Sequence, residues 1–527
     1  MADPRYGSYR DLAKSYETEL DSLIDQGVYK PIFLYHVVII HVLPMIGLVI
    51  PRSRGGHHIR KVLFAVCVGI AIDIFQNRRA VVGGNGYMLG LMTAWWLTWT
   101  ATLFVFTDLE RDFRRIERKP SNGKPDHKNG LVGPNQIFGD DPSPKQPKSD
   151  VFVWQSYPAK FSHRLEWCAG LFFNLRGPEW NWRAPHLGTL PRSIHAQLYS
   201  GFTENIKAQE DTTFPSAKDR LRAAFRKFLI TYLILDVLKV IILMPDPYFQ
   251  GISPSYSISP PPFPFFYFPG LEIHPFLAQL CRCLYSAVSV YVALQFVTPL
   301  NAIFFLGLSL AFPNAARGLT AAPLGTSWLY SDTFGPFVQP VLDDGLAGCW
   351  GKWWHQLFRN GFMNTARWIL SLLPTSLTSR LNFRRIVYVM AAFCISGLIH
   401  ACGSRTQLAA TRPLSGPFLF FALQGVAIMA EQVFNTSILP ILPLGGTPRW
   451  VRRTANFVVV FCWLMTSGCL IADDFARGGL WLMEPVPVSP LRGLGFGLQG
   501  EGWWCWKEPW FRYWSDGSYW GSGIRVL

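Results

Sequence analysis

Charge is scarce in this sequence, and it is unevenly spread. Asp, Glu, Lys and Arg make up 16% of the 527 residues, while 50% are hydrophobic and 15% aromatic. A soluble domain carries about 25% charged residues, and a soluble chain of this length divides into several such domains. Here the charges gather in the first thirty residues, in the stretch 107–227 and in short basic connections. Acidic residues are the scarcer sign: 34 Asp and Glu face 49 Lys and Arg, a formal net charge of +15. On so apolar a chain this excess reads as basic loops held on the cytosolic side of a membrane against anionic lipid, and not as nucleic-acid binding. A basic cytosolic face also attracts a polyanionic cosubstrate such as a nucleotide or coenzyme A.

Other absences narrow the field further. The ten cysteines form no disulfide framework, because Cys67, Cys394, Cys462 and Cys469 lie inside apolar runs, where a thiol behaves as a small hydrophobe. No CxxC motif pairs with another at zinc spacing, and Cys281 and Cys283 are too close for a standard pair, so no metal is expected. No histidine begins an HxxxD motif, which argues against the soluble-acyltransferase route to acyl transfer. Internal repeats of the kind transporters often carry are missing. The first thirty residues are polar and acid-rich and do not read as a cleavable signal peptide, so the first apolar run is expected to act as a retained anchor.

What the chain does hold is a series of apolar runs of bilayer length. A spanning helix needs ~20 mostly apolar residues, and 32–50, 87–106, 228–244, 383–402, 415–434 and 456–473 qualify. The run 276–312 is long enough for two spans, with Pro299 as the expected break. The segment 61–75 is weaker because it carries Asp73. The expected fold is therefore an all-α, polytopic integral membrane protein of about eight or nine transmembrane helices. Its expected divisions are a polar N-terminal tail (1–31), N-terminal spans (32–106), a basic polar and interfacial region (107–227), central spans (228–312), a region with the chemistry (313–402), and C-terminal spans with an aromatic tail (403–527). Within 107–227 the part beginning RRIERKPSNGKPDHKNG reads as a flexible loop. The part after Val151, with Trp154, Trp167, Trp180 and Trp182, reads as an ordered interfacial element. The proline-dense SPPPFPFFYFPG (259–270) cannot form a regular helix.

Two segments point to chemistry. In FCISGLIHACG (393–403) a histidine ends an apolar run, with Ser396 and Gly397 one turn before it. An ionisable group at that depth is a functional-site hypothesis by default, and imidazole transfers protons near neutral pH. A histidine hydrogen-bonded near a helix end is the bland alternative. In CWGKWWHQLFRNGF (349–362) helical spacing puts Trp350, Trp354 and Phe358 on one face, with Lys352 and Arg359 elsewhere. Here an amphipathic helix resting on lipid is the bland alternative. Weaker signals are a lone GxGxxG at Gly495, Gly497 and Gly500, which reads as loop, and Asp236 with Lys239, three apart inside a span and expected to pair with each other. Glu431 is left open between a tunnel and an interface.

WGKWWHQ (350–356) and SGLIH (396–400), with their histidines 45 positions apart, resemble the wax-synthase-like branch of the membrane-bound O-acyltransferase superfamily, which includes fungal terpenoid and meroterpenoid O-acetyltransferases. RGPEWNWR (176–183) resembles an element upstream of that region in fungal members. The chain departs from the pattern at Cys349, where Phe is usual, at Trp353, where a second basic residue is usual, and at Ala401, where an acidic residue often follows the histidine. The resemblance implies helices around a tunnel in the endoplasmic reticulum membrane. It also implies acyl transfer, most directly of acetyl from acetyl-CoA, to a hydroxyl of a hydrophobic acceptor such as a terpenoid. No cofactor would be permanently bound, and the partners would be acyl-CoA, a hydrophobic alcohol and membrane lipid. By the same resemblance His400 is the base and His355 orients the donor or stabilises the oxyanion, while Trp350, Trp354 and Ser396 line the acceptor site. Lys352, Arg359, Arg384 and Arg385 are the implied partners of coenzyme A phosphates. Two alternatives stay open: a long-chain acyl-CoA:alcohol (wax ester) synthase, and a transporter with an intramembrane His/Asp relay.

Overall fold

A computed structural model describes residues 8–120, 150–199, 214–268, 270–443, 447–498 and 500–527. The charged segment expected to be a flexible loop begins at Arg114; its residues Arg115–Pro120 form a strand paired with Asp150–Gln155, and the remainder lies outside the described residues. The main helices are α1 (Tyr9–Asp25), α2 (Leu34–Val49), α3 (Gly56–Asn77), α4 (Tyr87–Phe106), α5 (Phe161–Phe172), α6 (Ala217–Val237), α7 (Pro275–Ala311), α8 (Val338–Gly348), α9 (Arg359–Ser371), α10 (Leu381–Arg405), α11 (Leu414–Ile441) and α12 (Arg449–Arg477). Among the described residues, α4, α7, α10, α11 and α12 are long and apolar enough to cross a bilayer. The protein is a multi-pass membrane protein. The shorter α2 is also apolar, and Val37, Val38, Leu229, Leu233, Phe304 and Val458 on α2, α6, α7 and α12 point large apolar side chains outward, as lipid-facing helices do.

At the break the sequence suggests, the regular helix ends at Val297 and restarts at Pro299, with Thr298 keeping helical backbone angles, and α7 continues through a π turn over Ala302–Leu306 to Ala311. Two small sheets accompany the helices. Strand β1 (Lys30–Phe33) pairs in parallel with β2 (Arg78–Arg79) and antiparallel with β6 (Ser522–Val526), which pairs with β5 (Phe511–Ser515). In the second sheet β3 (Arg115–Pro120) is antiparallel to β4 (Asp150–Gln155). The polar N-terminal segment is ordered as α1, capped by the Ser8 hydroxyl on the Asp11 N–H.

The region 107–227 differs from its expected role as an interfacial element. Trp167 and Trp180 are fully buried, 4.9 Å apart and edge to face. The Trp99 indole of α4 donates to the Phe172 carbonyl at 3.0 Å, and Trp182 packs on Trp99 at 5.7 Å. Aromatic rings with one polar atom suit this docking, because each buries a large area and can still satisfy its N–H. Asp236 and Lys239 do not pair with each other. Asp236 accepts from the Ser489 hydroxyl and the Leu491 N–H, while Lys239 donates to the Trp481 carbonyl. Backbone groups of a neighbouring segment outcompete the three-residue spacing.

One buried ion pair fixes the proline-dense loop. The Arg282 guanidinium of α7 grips Asp246 through two bonds of 2.7 and 2.8 Å and donates to the carbonyls of Pro254, Ser255, Ser257 and Pro260. A segment with few N–H groups leaves carbonyls unpaired, and a guanidinium with five donors suits them. Arg282→Met is expected to destabilise the protein by about 3–5 kcal/mol, because it strands a buried carboxylate. Melting curves of the detergent-solubilised protein check this, and adding Asp246→Asn should recover part of the loss.

Candidate active site

The site begins with a close helix crossing. Helices α4 and α10 make the most extensive helix–helix packing among the described elements. They approach because Gly90 and Gly403 carry no side chain: a Cβ on Gly90 would lie 2.0 Å from the Cys402 carbonyl oxygen, and one on Gly403 2.9 Å from the Tyr87 ring. The loop before α4 is pinned to the end of α10 by Thr406 Oγ1 to the Gly86 carbonyl at 3.0 Å and Gln407 Nε2 to the Gly84 carbonyl at 3.1 Å. This crossing sets the Tyr87 hydroxyl 2.6 Å from Nδ1 of His400. On its other side the His400 ring stacks on Phe421 of α11, 4.6 Å between centroids and 20° between planes.

The second histidine arrives from a broken helix. Helical spacing over 349–362 predicts one amphipathic helix, but the chain runs as a π turn over Cys349–Trp353 and turns extended at Trp354. Helix α9 begins only at Arg359. Tertiary bonds override the local pattern. The Gly335 N–H donates to the Trp353 carbonyl at 2.9 Å, and the Gln356 amide donates to the carbonyls of Trp350 at 2.9 Å and Trp354 at 3.0 Å. Upstream, α8 kinks at Gly345, with φ +63°, and the Glu431 carboxylate accepts the Leu346 and Ala347 N–H groups beyond the kink. Glu431 thus caps a helix turn.

The break turns His355 toward His400. His355 packs against Trp354, Phe334 and Phe358, with centroids at 5.3, 6.1 and 6.1 Å. Trp354 meets Trp350 at 5.7 Å, and Trp350 meets Phe421, the ring under His400, at 6.0 Å. Both imidazoles are half-buried among these rings. Nδ1 of His355 is buried with no hydrogen-bond partner among the described residues.

Of the other residues expected here, Trp350 and Trp354 join the two histidines through their rings, and Ser396 lies one helical turn before His400. Arg359 donates to Gln356 at 2.8 Å and acts electrostatically on the histidine cluster. Lys352 does not reach it: the ammonium is exposed and paired with Asp344 at 2.7 Å. Arg384 and Arg385 are exposed near the far end of α10, roughly 23 Å from His400 at ~1.5 Å rise per residue. The two departures at 349 and 353 are both packed. Cys349 is buried beside Val341 and Ile428, and Trp353 stacks on Tyr291 at 6.0 Å.

Two residues that sequence reasoning missed belong to the site. Tyr87 gave no signal, because its partner lies far along the chain. His186 follows RGPEWNWR by three residues and adds a third imidazole. Both of its nitrogens are buried without a hydrogen-bond partner among the described residues. Burial first, and then the charges of Arg176, Arg359 and Arg183, push it down to about 3. Burial alone pushes His355 down to about 4, so it is neutral at physiological pH and carries one N–H and one lone pair. Groups of three or more metal-ligating side chains are absent among the described residues.

Two histidines set among aromatic rings, one of them backed by a phenol, are able to carry out acid–base chemistry. Residues 330–423, which hold both His355 and His400, match the family described as "Membrane bound O-acyl transferase family". The chain is similar to that family over this stretch. It is similar to O-Mevalon transferase macI of Penicillium terrestre, 39% identical over 126 residues, 22% of this chain and 29% of that protein. It is also similar to O-Mevalon transferase yanI of Aspergillus niger, 28% identical over 329 residues, 58% of this chain and 61% of that protein. The chain thus spans less than two thirds of the length of either relative. No solved structure matches it.

Neutral His355 sets a pH dependence. In the unfolded chain His355 binds its proton near pH 6.5, and in the folded protein only near 4. The unfolded state therefore binds more protons in that window, and stability falls as pH drops from about 6.5 toward 4. Thermal melts of the solubilised protein across this range check the slope, which His355→Gln should make shallower.

Proposed function

We propose that the protein is an acyl-CoA-dependent O-acyltransferase that acylates a hydroxyl of a hydrophobic acceptor, a terpenoid or meroterpenoid, in the endoplasmic reticulum membrane. The observation that carries this reading is the Tyr87–His400 contact, with His355 joined to the same ring cluster through Trp354, Trp350 and Phe421. With its proton on Nδ1 and donated to the Tyr87 oxygen, His400 leaves its Nε2 lone pair free, which is the tautomer a general base needs. Nε2 takes the acceptor's hydroxyl proton, and the oxygen attacks the thioester carbonyl. The C–S bond then breaks, and the proton passes from His400 to the departing thiolate. Phe421 and Tyr87 fix the ring plane and direction, so little reorganisation is left for the reaction step. Neutral His355 has an N–H to offer the developing oxyanion, in a water-poor site where such a bond is strong.

Acetyl is the donor group that the family resemblance favours. The names of the two relatives favour a second donor chemistry, transfer of a mevalon group to oxygen. Trp353 and Trp354, crowded against Phe334, make the donor side of the site aromatic, and its size decides between the two.

Microsomes expressing the protein, supplied with labelled acetyl-CoA or the bulkier mevalonyl-CoA and a panel of terpenoid alcohols, should form an ester with one donor class. His400→Ala should lower kcat at least ~100-fold at normal protein level. Full turnover in that variant would remove His400 from the mechanism. Tyr87→Phe should lower kcat roughly tenfold with KM little changed, as expected for a residue that orients the base.

A further inference from the structure

We propose that a basic cavity beside the site, bounded by Arg176, Arg220, Arg226 and Lys227, takes the phosphate-bearing end of the coenzyme A donor. This deepens the acyl-CoA reading and rests on it. The cavity has a volume of about 340 Å³ and lies between the N-terminal half of α6, the middle of α7 around Pro299, and the segment Tyr330–Thr333. Four cationic side chains line it against one carboxylate, Asp332, which is shared by Arg220 at 3.6 Å and Lys227 at 3.2 Å. Arg176 spends one nitrogen on the carbonyls of Ser331 at 3.1 Å and Asp332 at 2.9 Å. Arg226 has no carboxylate partner among the described residues. A surplus of three positive charges in a partly enclosed cavity repels itself and favours a polyanion. Planar guanidiniums are suited to gripping phosphate oxygens in pairs. Burial, and then the like charges of Arg220 and Arg183, hold Arg176 down at about 10, still protonated at neutral pH.

The cavity also lies in the right place relative to the histidines. Thr333 lines it, and the next residue, Phe334, meets the His355 ring edge to face at 6.1 Å. One extended residue covers at most ~3.6 Å, so the cavity wall and the acyl-transfer site are separated by little more than one side chain. Arg176 and His186 continue the path. Arg176 borders the cavity, and His186, with both nitrogens unpartnered, responds to the charges of both Arg176 and His355. A donor whose 3′-phosphate and 5′-diphosphate rest in the cavity would run its uncharged pantetheine arm past His186 and bring its thioester between His355 and His400. The four cations come from RGPEWNWR and from the start of α6. They replace Lys352, Arg384 and Arg385, which face away from the histidines.

The test is equilibrium binding of labelled coenzyme A to the full-length, detergent-solubilised protein, with Arg226→Ala, Lys227→Ala and the charge-keeping Arg226→Lys. The alanine variants should raise Kd roughly tenfold or more each, the usual worth of a charge-assisted contact. They should also raise KM for acyl-CoA with kcat retained, and Arg226→Lys should recover most of the affinity. Because the Arg226 side chain is exposed, its removal leaves the fold intact. Wild-type affinity in both alanine variants would overturn the cavity assignment while leaving the acyl-CoA reading standing. Failure of the wild-type protein to bind coenzyme A would overturn both. Short-chain phosphatidate is the second probe: if it binds with the same dependence on Arg226 and Lys227 while coenzyme A binding is unmoved, the cavity holds a lipid headgroup and the assignment falls.

Discussion

Everything at the reactive end of this molecule depends on how closely α4 and α10 approach. Two glycines, one on each helix, remove the side chains that would hold the backbones apart. The gain is the contact between a phenol and an imidazole that belong to distant parts of the chain. In lipid, where apolar packing is no better between helices than against acyl chains, small residues and interhelical hydrogen bonds carry helix association. The same crossing therefore holds the bundle together and fixes the His400 ring against Tyr87. Stability and site geometry are not separable here, because the bond that holds this ring is also one of the bonds that joins the helices.

A second constraint is the irregular backbone around the histidines. His355 Nδ1 and both nitrogens of His186 are buried with no hydrogen-bond partner among the described residues. Around them the protein bends its own helices, through the π turn at Cys349–Trp353, the kink at Gly345 and the carboxylate cap from Glu431. Regular helix would have satisfied more backbone but pointed His355 elsewhere. The irregular backbone is tolerated because it is enclosed by protein and carries local caps. Substrate groups entering there would meet those donors and acceptors.

How much of this was legible in the sequence follows from the range of each interaction. The spans, the acyltransferase motifs and the two histidines could be read locally, because an ionisable residue in an apolar run stands out wherever it is. The shape of WGKWWHQ could not be read, since Gly335 and Gln356 impose it from outside the local periodicity. Tyr87 was invisible for the same reason on a larger scale, and so was the burial of Trp167 and Trp180 inside the protein. The cationic cavity gathers residues from four separate stretches. Proximity to spans pointed instead to Arg384 and Arg385, which sit on the correct helix at the wrong end.

Strand β6 gives these arrangements an order in time. It pairs with β1, and the Val82 N–H donates at 2.6 Å to the carbonyl of Leu527, just past that strand. Val82 opens the loop that delivers Tyr87 to α4. A strand made after all the spans thus ties down a loop made before most of them. During synthesis the early helices must wait in the bilayer with this edge unpaired, since long-range contacts form only after the intervening chain is in place. The geometry of the tyrosine is thereby tied to complete insertion, and a chain stalled partway would hold its histidine without the phenol that aims it.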